Sequence, residues 1–166
     1  MPRVYISIGS NIDRAAKIRA AVAALRERYG ELTLSSVYES SAVGFEGDDF
    51  YNLVAAFDSA EEVTVINTFL HELEQANGRS RASSPFTPRT LDLDLLLYGQ
   101  TVMDDGRVRI PRDEITRYAF VLAPLAEIAG NEIHPVSGES FERMWRDFSD
   151  PSQQLRRVDF AWRINR

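Results

Sequence analysis

Leu91-Asp92-Leu93-Asp94-Leu95 alternates apolar and acidic residues without a break. A period of two marks a strand with one face buried, so the leucines point one way and the aspartates the other. Aspartate is disfavoured in strands, and two carboxylates side by side repel. The run Leu95-Leu96-Leu97 that follows predicts a central strand, whose polar face is rarely left bare. The segment therefore calls for a sheet that sets something positive against Asp92 and Asp94. A divalent cation is the natural candidate, and oxygen-only ligands on a rigid strand suit magnesium. An ordinary solvated sheet face is the competing reading.

The rest of the chain narrows the setting. Its 166 residues predict a single domain spanning 1–166, and a hydrophobic fraction of 44% is ample for a core. There is no cysteine, which excludes disulfides and zinc–thiolate sites, and two histidines cannot build a histidine-rich metal centre. No apolar run approaches the roughly 18 residues of a membrane span, and Met1 to Ile8 reads as a strand rather than a signal peptide. The expected setting is the cytoplasm. A net charge of −6 argues against a general nucleic-acid binder. The expected partners are small molecules, with no nucleic acid and no membrane, and the expected state is a monomer.

Hydrophobic periodicity lays out an alternation of strands and helices. Val4 to Ile8 reads as a strand ending at Gly9-Ser10-Asn11, and Asp13 to Tyr29 as a helix stopped by Gly30. Leu32 to Tyr38 reads as a second strand, Ser40 to Asp49 as a loop, and Tyr51 to Phe57 as a third strand. Ser59 and Glu62 have the spacing of a capping box. The helix after them carries Ile66, Phe69, Leu70 and Leu73 as its apolar stripe and stops at Asn77-Gly78. The Asp strand follows. Tyr98 to Val102, continued by Val108 to Ile110, reads as a hairpin, and Tyr118 to Ala129 as a helix that Pro124 bends or restarts. The polar, Arg-rich tail from about residue 150 reads as peripheral. The order β-α-β-β-α-β is the ferredoxin-like arrangement. With additional C-terminal helices over the second sheet face, it predicts a three-layer α-β-α domain of the α/β (α+β) class.

The segment from Gly78 to Arg89 sets Arg79, Arg81 and Arg89 among small and polar residues, directly before the Asp pair. Guanidinium forks suit phosphate oxygens. Arginines beside paired carboxylates point to a triphosphate held as its magnesium complex. A solvated loop whose arginines pair with nearby acids is the plainer reading. The chain has neither a Gly-x-x-x-x-Gly-Lys-Ser/Thr loop nor a Gly-x-Gly-x-x-Gly turn, so it is not a P-loop enzyme or a common dinucleotide binder.

These motifs carry a resemblance. The run Pro88-Arg89-Thr90-Leu91-Asp92-Leu93-Asp94-Leu95-Leu96-Leu97-Tyr98-Gly99 is similar, almost letter for letter, to the signature of the 6-hydroxymethyl-7,8-dihydropterin pyrophosphokinase family. Tyr5 to Asn11, Phe50-Tyr51-Asn52 and Phe120 to Leu125 resemble that family's other conserved-type segments, and the likeness runs to about Ile133. It implies a ferredoxin-like core. It also implies transfer of the terminal pyrophosphoryl unit of ATP, the co-substrate, to a pterin hydroxymethyl group with release of AMP, assisted by two magnesium ions.

Residue by residue, the resemblance implies that Asp92 and Asp94 hold the magnesium ions. Arg79 and Arg89 would contact phosphate, with Arg81, Arg107, Arg112, Arg117 and Glu74 on the nucleotide side. Asn52 would hydrogen-bond the pterin ring, and Phe50 and Phe120 would sandwich it. Ser40, Ser41 and Val43 would line the same pocket, and Phe86 stands where the family has a covering tryptophan. The chain departs from the family at Ile110-Pro111-Arg112, where an arginine replaces a histidine. It departs again at Arg117-Tyr118, where the tyrosine takes the place of an arginine two residues before Phe120. That change leaves room for a divergent, slower or altered-substrate paralogue. Read without the resemblance, the residues also admit a non-catalytic binding module or a metal-dependent phosphatase or nuclease.

Overall fold

The computed structural model describes residues 1–40, 49–78 and 91–163. Strand β1 (Arg3–Ser10) buries every side chain from Val4 onward. Helix α1 (Arg14–Tyr29) turns Ile18, Ala21, Val22 and Leu25 to the core, a spacing of three and four that lies on one face. Gly30 ends it at φ 81°, its N–H donating to the Arg26 carbonyl at 2.9 Å. That positive φ is one glycine adopts without strain.

The strand predicted over Leu32 to Tyr38 is two short ones, β2 (Thr33–Leu34) and β3 (Val37–Ser40). Ser35 divides them. Its hydroxyl accepts the Val54 N–H at 2.9 Å, replacing a ladder carbonyl. Ser36 is drawn away to the Glu127 carboxylate through its N–H and its hydroxyl, at 3.0 and 2.9 Å. Strand β4 (Phe50–Asp58) and helix α2 (Val63–Ala76) follow. The predicted capping box does not form. Ser59 instead accepts the Glu61 N–H and donates its own N–H to the Pro2 carbonyl, so it belongs to the end of the sheet and Glu62 flanks the helix.

Strand β5 (Asp92–Tyr98) carries the aspartates. The predicted hairpin lies further along. Gly99-Gln100 is a turn, and β6 (Met103–Asp104) pairs with β7 (Arg109–Ile110) in a separate two-stranded sheet. Helix α3 (Glu114–Arg117) precedes α4 (Ala119–Ala129), which continues through Pro124 with Val121, Leu122 and Leu125 packed on the sheet. Helix α5 (Phe141–Asp147) is capped by Ser140, and the polar tail supplies β8 (Leu155–Val158) at the sheet's edge.

The main sheet runs β5-β1-β4-β3-β8, antiparallel at each pairing, with β2 also on β4. Helices α1 and α2 cover one face over Ile6, Ile8, Leu53, Phe57, Leu91, Leu93 and Leu95. Helices α3 to α5 cover the other over Tyr5, Val54, Ala56, Leu96 and Leu97. This is the three-layer ferredoxin-like architecture.

Among the described residues strand β5 lies at an edge of the sheet, where a central strand was predicted. It reads as central because both its faces are packed. A bulge opposite Tyr5 and Ile6 turns two consecutive leucines, Leu96 and Leu97, into the second core. Its open edge is met by other groups. Leu93 N–H donates to Glu74 Oε2 at 2.8 Å, and the Leu96 carbonyl accepts Arg112 N–H at 3.1 Å.

Candidate active site

Strand register gathers the polar residues of the second sheet face at one end. Asp92 lies opposite Gly9, and Gly9 opposite Asn52 on the next strand. One step along, Asp94 lies opposite Ser7. Strand β3 sets Ser40 opposite Phe50. The segment from Arg112 to Val121 folds over this end and closes a cavity of about 330 Å³, with Tyr118 and Phe120 among its walls.

Within it, the Asn52 amide is nearly inaccessible at 4% exposure and donates Nδ2–H to Ser40 Oγ at 3.1 Å. Its Oδ1 lies over Gly9, where a Cβ would approach to 2.7 Å. Only glycine leaves that space. Tyr118 and Phe120 stack with centroids 5.1 Å apart and planes inclined by 29°. One wall of the cavity is therefore aromatic, one is an amide, and one carries two carboxylates.

Arg112 reaches into the carboxylate side. Its Nη2 is 3.3 Å from Asp94 Oδ1, and its Nε is 2.6 Å from Glu114 Oε2. The second contact is close but lacks hydrogen-bond alignment, so it is chiefly electrostatic. Among the described residues, no group of three or more His, Cys, Asp or Glu side chains is placed to hold a metal ion.

The structure thus brings Asp92, Asp94, Ser40, Phe50, Asn52, Phe120 and Arg112 to one cavity. Glu74 is buried under the β5 edge, bonded to the backbone between the two aspartates. Arg107 is exposed in the β6–β7 turn. Arg117 is also exposed, and its carbonyl accepts Gln153 Nε2–H at 2.9 Å. Neither lines the cavity. Arg79, Arg81, Phe86 and Arg89, with Ser41 and Val43, lie outside the described residues.

Sequence reasoning did not place Ser7, Gly9, Glu114 or Tyr118 among the cavity's lining residues. Ser7 and Gly9 had a usable signal, since they alternate with Ile6 and Ile8 and so had to face away from the core. Tyr118 had its place at the position of the family's arginine, and Glu114 had no signal, because their segment changes direction between α3 and α4.

Behind the sheet, Arg14 ties the neighbours of Phe50 and Ser40 together. It donates to the Asp49 carbonyl at 2.7 Å, pairs with Glu39 at 2.8 Å and lies 3.7 Å over the Tyr51 ring. The hydrogen bond from Arg156, with the charge of Arg14, holds the Glu39 carboxyl below its usual range.

Residues 5–130 match the model of the 7,8-dihydro-6-hydroxymethylpterin-pyrophosphokinase (HPPK) family. The chain belongs to that family. It is 33% identical over 153 residues to 2-amino-4-hydroxy-6-hydroxymethyldihydropteridine pyrophosphokinase of Bacillus subtilis, covering 87% of this chain and 91% of that protein. Identity to the Pseudomonas aeruginosa pyrophosphokinase is 38% over 132 residues, covering 76% and 80%. The chain spans only 39% of the length of the bifunctional protein FolKE of Lactococcus lactis, at 33% identity over 80% of this chain. The HPPK fold is shared with a Plasmodium falciparum HPPK-DHPS structure at a TM-score of 0.71 and 10% identity, over 87% of this chain and 43% of that one.

Proposed function

We propose that the protein transfers the terminal pyrophosphoryl unit of ATP to the hydroxymethyl group of a 6-hydroxymethyl-7,8-dihydropterin, releasing AMP, in folate biosynthesis. The observation that carries this reading is the cavity itself, in which the Asp92–Asp94 pair faces the Asn52 amide and the Phe50, Tyr118 and Phe120 rings. A flat, hydrogen-bonding heterocycle suits the aromatic and amide walls. Its hydroxymethyl arm would then point at the carboxylates.

Asp92 and Asp94 suit magnesium, which binds through one or two carboxylates while keeping waters and taking substrate phosphates as its other ligands. Both are partly exposed and open on the cavity. When bound, the two magnesium ions supply charge neutralisation between the phosphates and the nucleophile. In the reaction, the hydroxymethyl oxygen attacks the β-phosphorus. The new O–P bond forms as the bond from Pβ to the α,β-bridging oxygen breaks, AMP departs with the electron pair, and the hydroxyl proton passes to water.

Among the described residues lining the cavity there is no histidine or lysine to take that proton. Positioning and electrostatics therefore carry the step. Asn52 orients the pterin, the aromatic wall excludes water, and Arg112 lies within reach of departing phosphate charge. Arg79, Arg81 and Arg89 act with it on the nucleotide. No described helix is long and apolar enough to cross a membrane.

The direct test is AMP formation from ATP and magnesium, with and without the dihydropterin. Pterin-dependent AMP is expected, and its absence would overturn the reading.

The pterin side has a sharper test in two residues. Removing the Asn52 amide should cost pterin binding about 1–3 kcal/mol, because polar edges of the ligand lose their partner, and ATP binding should barely change. Gly9→Ala should reproduce N52A, since the new methyl must push Oδ1 aside while leaving the backbone in place. Calorimetry of G9A, N52A and the double variant checks this. The double variant should lose no more than either single one, and additive losses would rule out a shared cause.

A further inference from the structure

We propose that Arg112 is an exchangeable counter-ion, holding Asp94 in the nucleotide-free protein and passing to phosphate when metal and nucleotide bind together. This rests on the pyrophosphokinase reading of the site and adds to it the coupling between its two ligands.

Arg112 lies between two carboxylates, 3.3 Å from Asp94 on one side and 2.6 Å from Glu114 on the other. A cation arriving alone at Asp94 meets a site already occupied by positive charge. It must displace the guanidinium from Oδ1 and then sit beside it. Such a cation gains little, so the free protein holds metal weakly.

The pair is nevertheless built to be broken. Its side chains are 37% and 41% exposed, a range in which ion pairs contribute little to stability. The backbone at Arg112 is fixed by its N–H on the Leu96 carbonyl at 3.1 Å. Only the side chain has to move. Glu114 remains beside Nε throughout, so the guanidinium is never left without a counter-charge.

A metal–nucleotide complex changes the balance. It brings a cation for Asp94 and phosphate oxygens for the released Nη groups, and guanidinium binds phosphate through charge-assisted, forked hydrogen bonds. One carboxylate–guanidinium contact is exchanged for a carboxylate–metal and a phosphate–guanidinium contact. Metal and nucleotide therefore favour each other's binding, and by linkage the effect is reciprocal.

The test measures two affinities in wild type, R112A, R112Q and D94N. One is Mn²⁺ alone, by electron paramagnetic resonance. The other is α,β-methylene-ATP with Mg²⁺, by calorimetry, an analogue whose α,β bridge cannot be cleaved. Both Arg112 variants should bind Mn²⁺ alone about tenfold more tightly than wild type, as the competing charge is gone, and the analogue about tenfold or more weakly. A merely structural arginine would weaken both. Unchanged or weaker Mn²⁺ binding in R112A and R112Q, with D94N losing it, overturns the exchange alone. So does unchanged affinity for the analogue. Mn²⁺ binding that survives in D94N overturns the metal reading of the site together with the proposal.

Discussion

Replacing Asp94 with Ala should reduce pyrophosphoryl transfer by roughly a thousandfold or more, since a carboxylate suited to holding the magnesium that neutralises and positions the phosphates is removed, while leaving the fold intact. The two halves of this expectation come from different parts of the structure. Asp94 opens on the cavity beside Asp92 and faces Ser7 across the strand, where no other carboxylate in the same row can replace it. Among the described residues it pairs with Arg112 in a half-exposed contact, and such a pair contributes about 0–1 kcal/mol. Removing the charge also relieves repulsion from Asp92. The thermal midpoint should therefore move by only a few degrees, in either direction. Asp94→Asn keeps the shape and loses the charge, and should be nearly as inactive as D94A. Steady-state AMP release, measured with thermal unfolding of the same samples, decides the matter. Near-normal turnover of D94A in magnesium would show that the acidic face is not where the phosphates are held.

Much of this site was legible because strands alternate. Leu91, Leu93 and Leu95 had to be buried, so Asp92 and Asp94 had to share the opposite face, and Phe50 and Asn52 two apart had to share one as well. That these faces belong to one cavity follows from antiparallel register across β5, β1 and β4, which the ferredoxin-like order implies. The family signature added the chemistry. What stayed hidden is tertiary. Ser35 looks like an ordinary strand residue, and only its bond to Val54 shows why the second strand breaks. The β5 edge looks central because leucines fill both its faces. Arg112 reads as a substituted phosphate ligand, and nothing in the chain's order announces that it reaches Asp94 and Glu114 at once.

Glu74 is a residue whose helix face the pattern supplies and whose partner it does not. The resemblance puts it on the nucleotide side. In the fold it is 5% exposed and accepts the Leu93 N–H at 2.8 Å, at the backbone step between the two aspartates. Its position four residues after Leu70 places it on the core-facing stripe of α2, where a carboxylate is normally excluded unless it has a task. Here one task is to accept the Leu93 N–H at the edge of β5. Glu74→Ala should lower stability by about 3 kcal/mol, because a charge-assisted hydrogen bond is lost and a buried N–H is left unmet. For a chain of this length that is a fall of about 6–12 °C in Tm. Glu74→Gln keeps an acceptor oxygen and should recover most of the loss. Transfer by E74A should fall through kcat, as Asp92 and Asp94 lose the anchored backbone between them, with KM for ATP little altered. The opposite pattern separates the two assignments. A raised KM for ATP in E74A, with Tm and kcat unchanged, would make Glu74 a nucleotide contact and leave the β5 edge to be held by something else. Thermal unfolding of E74A and E74Q beside their ATP saturation curves distinguishes a carboxylate that holds the strand from one that holds the substrate.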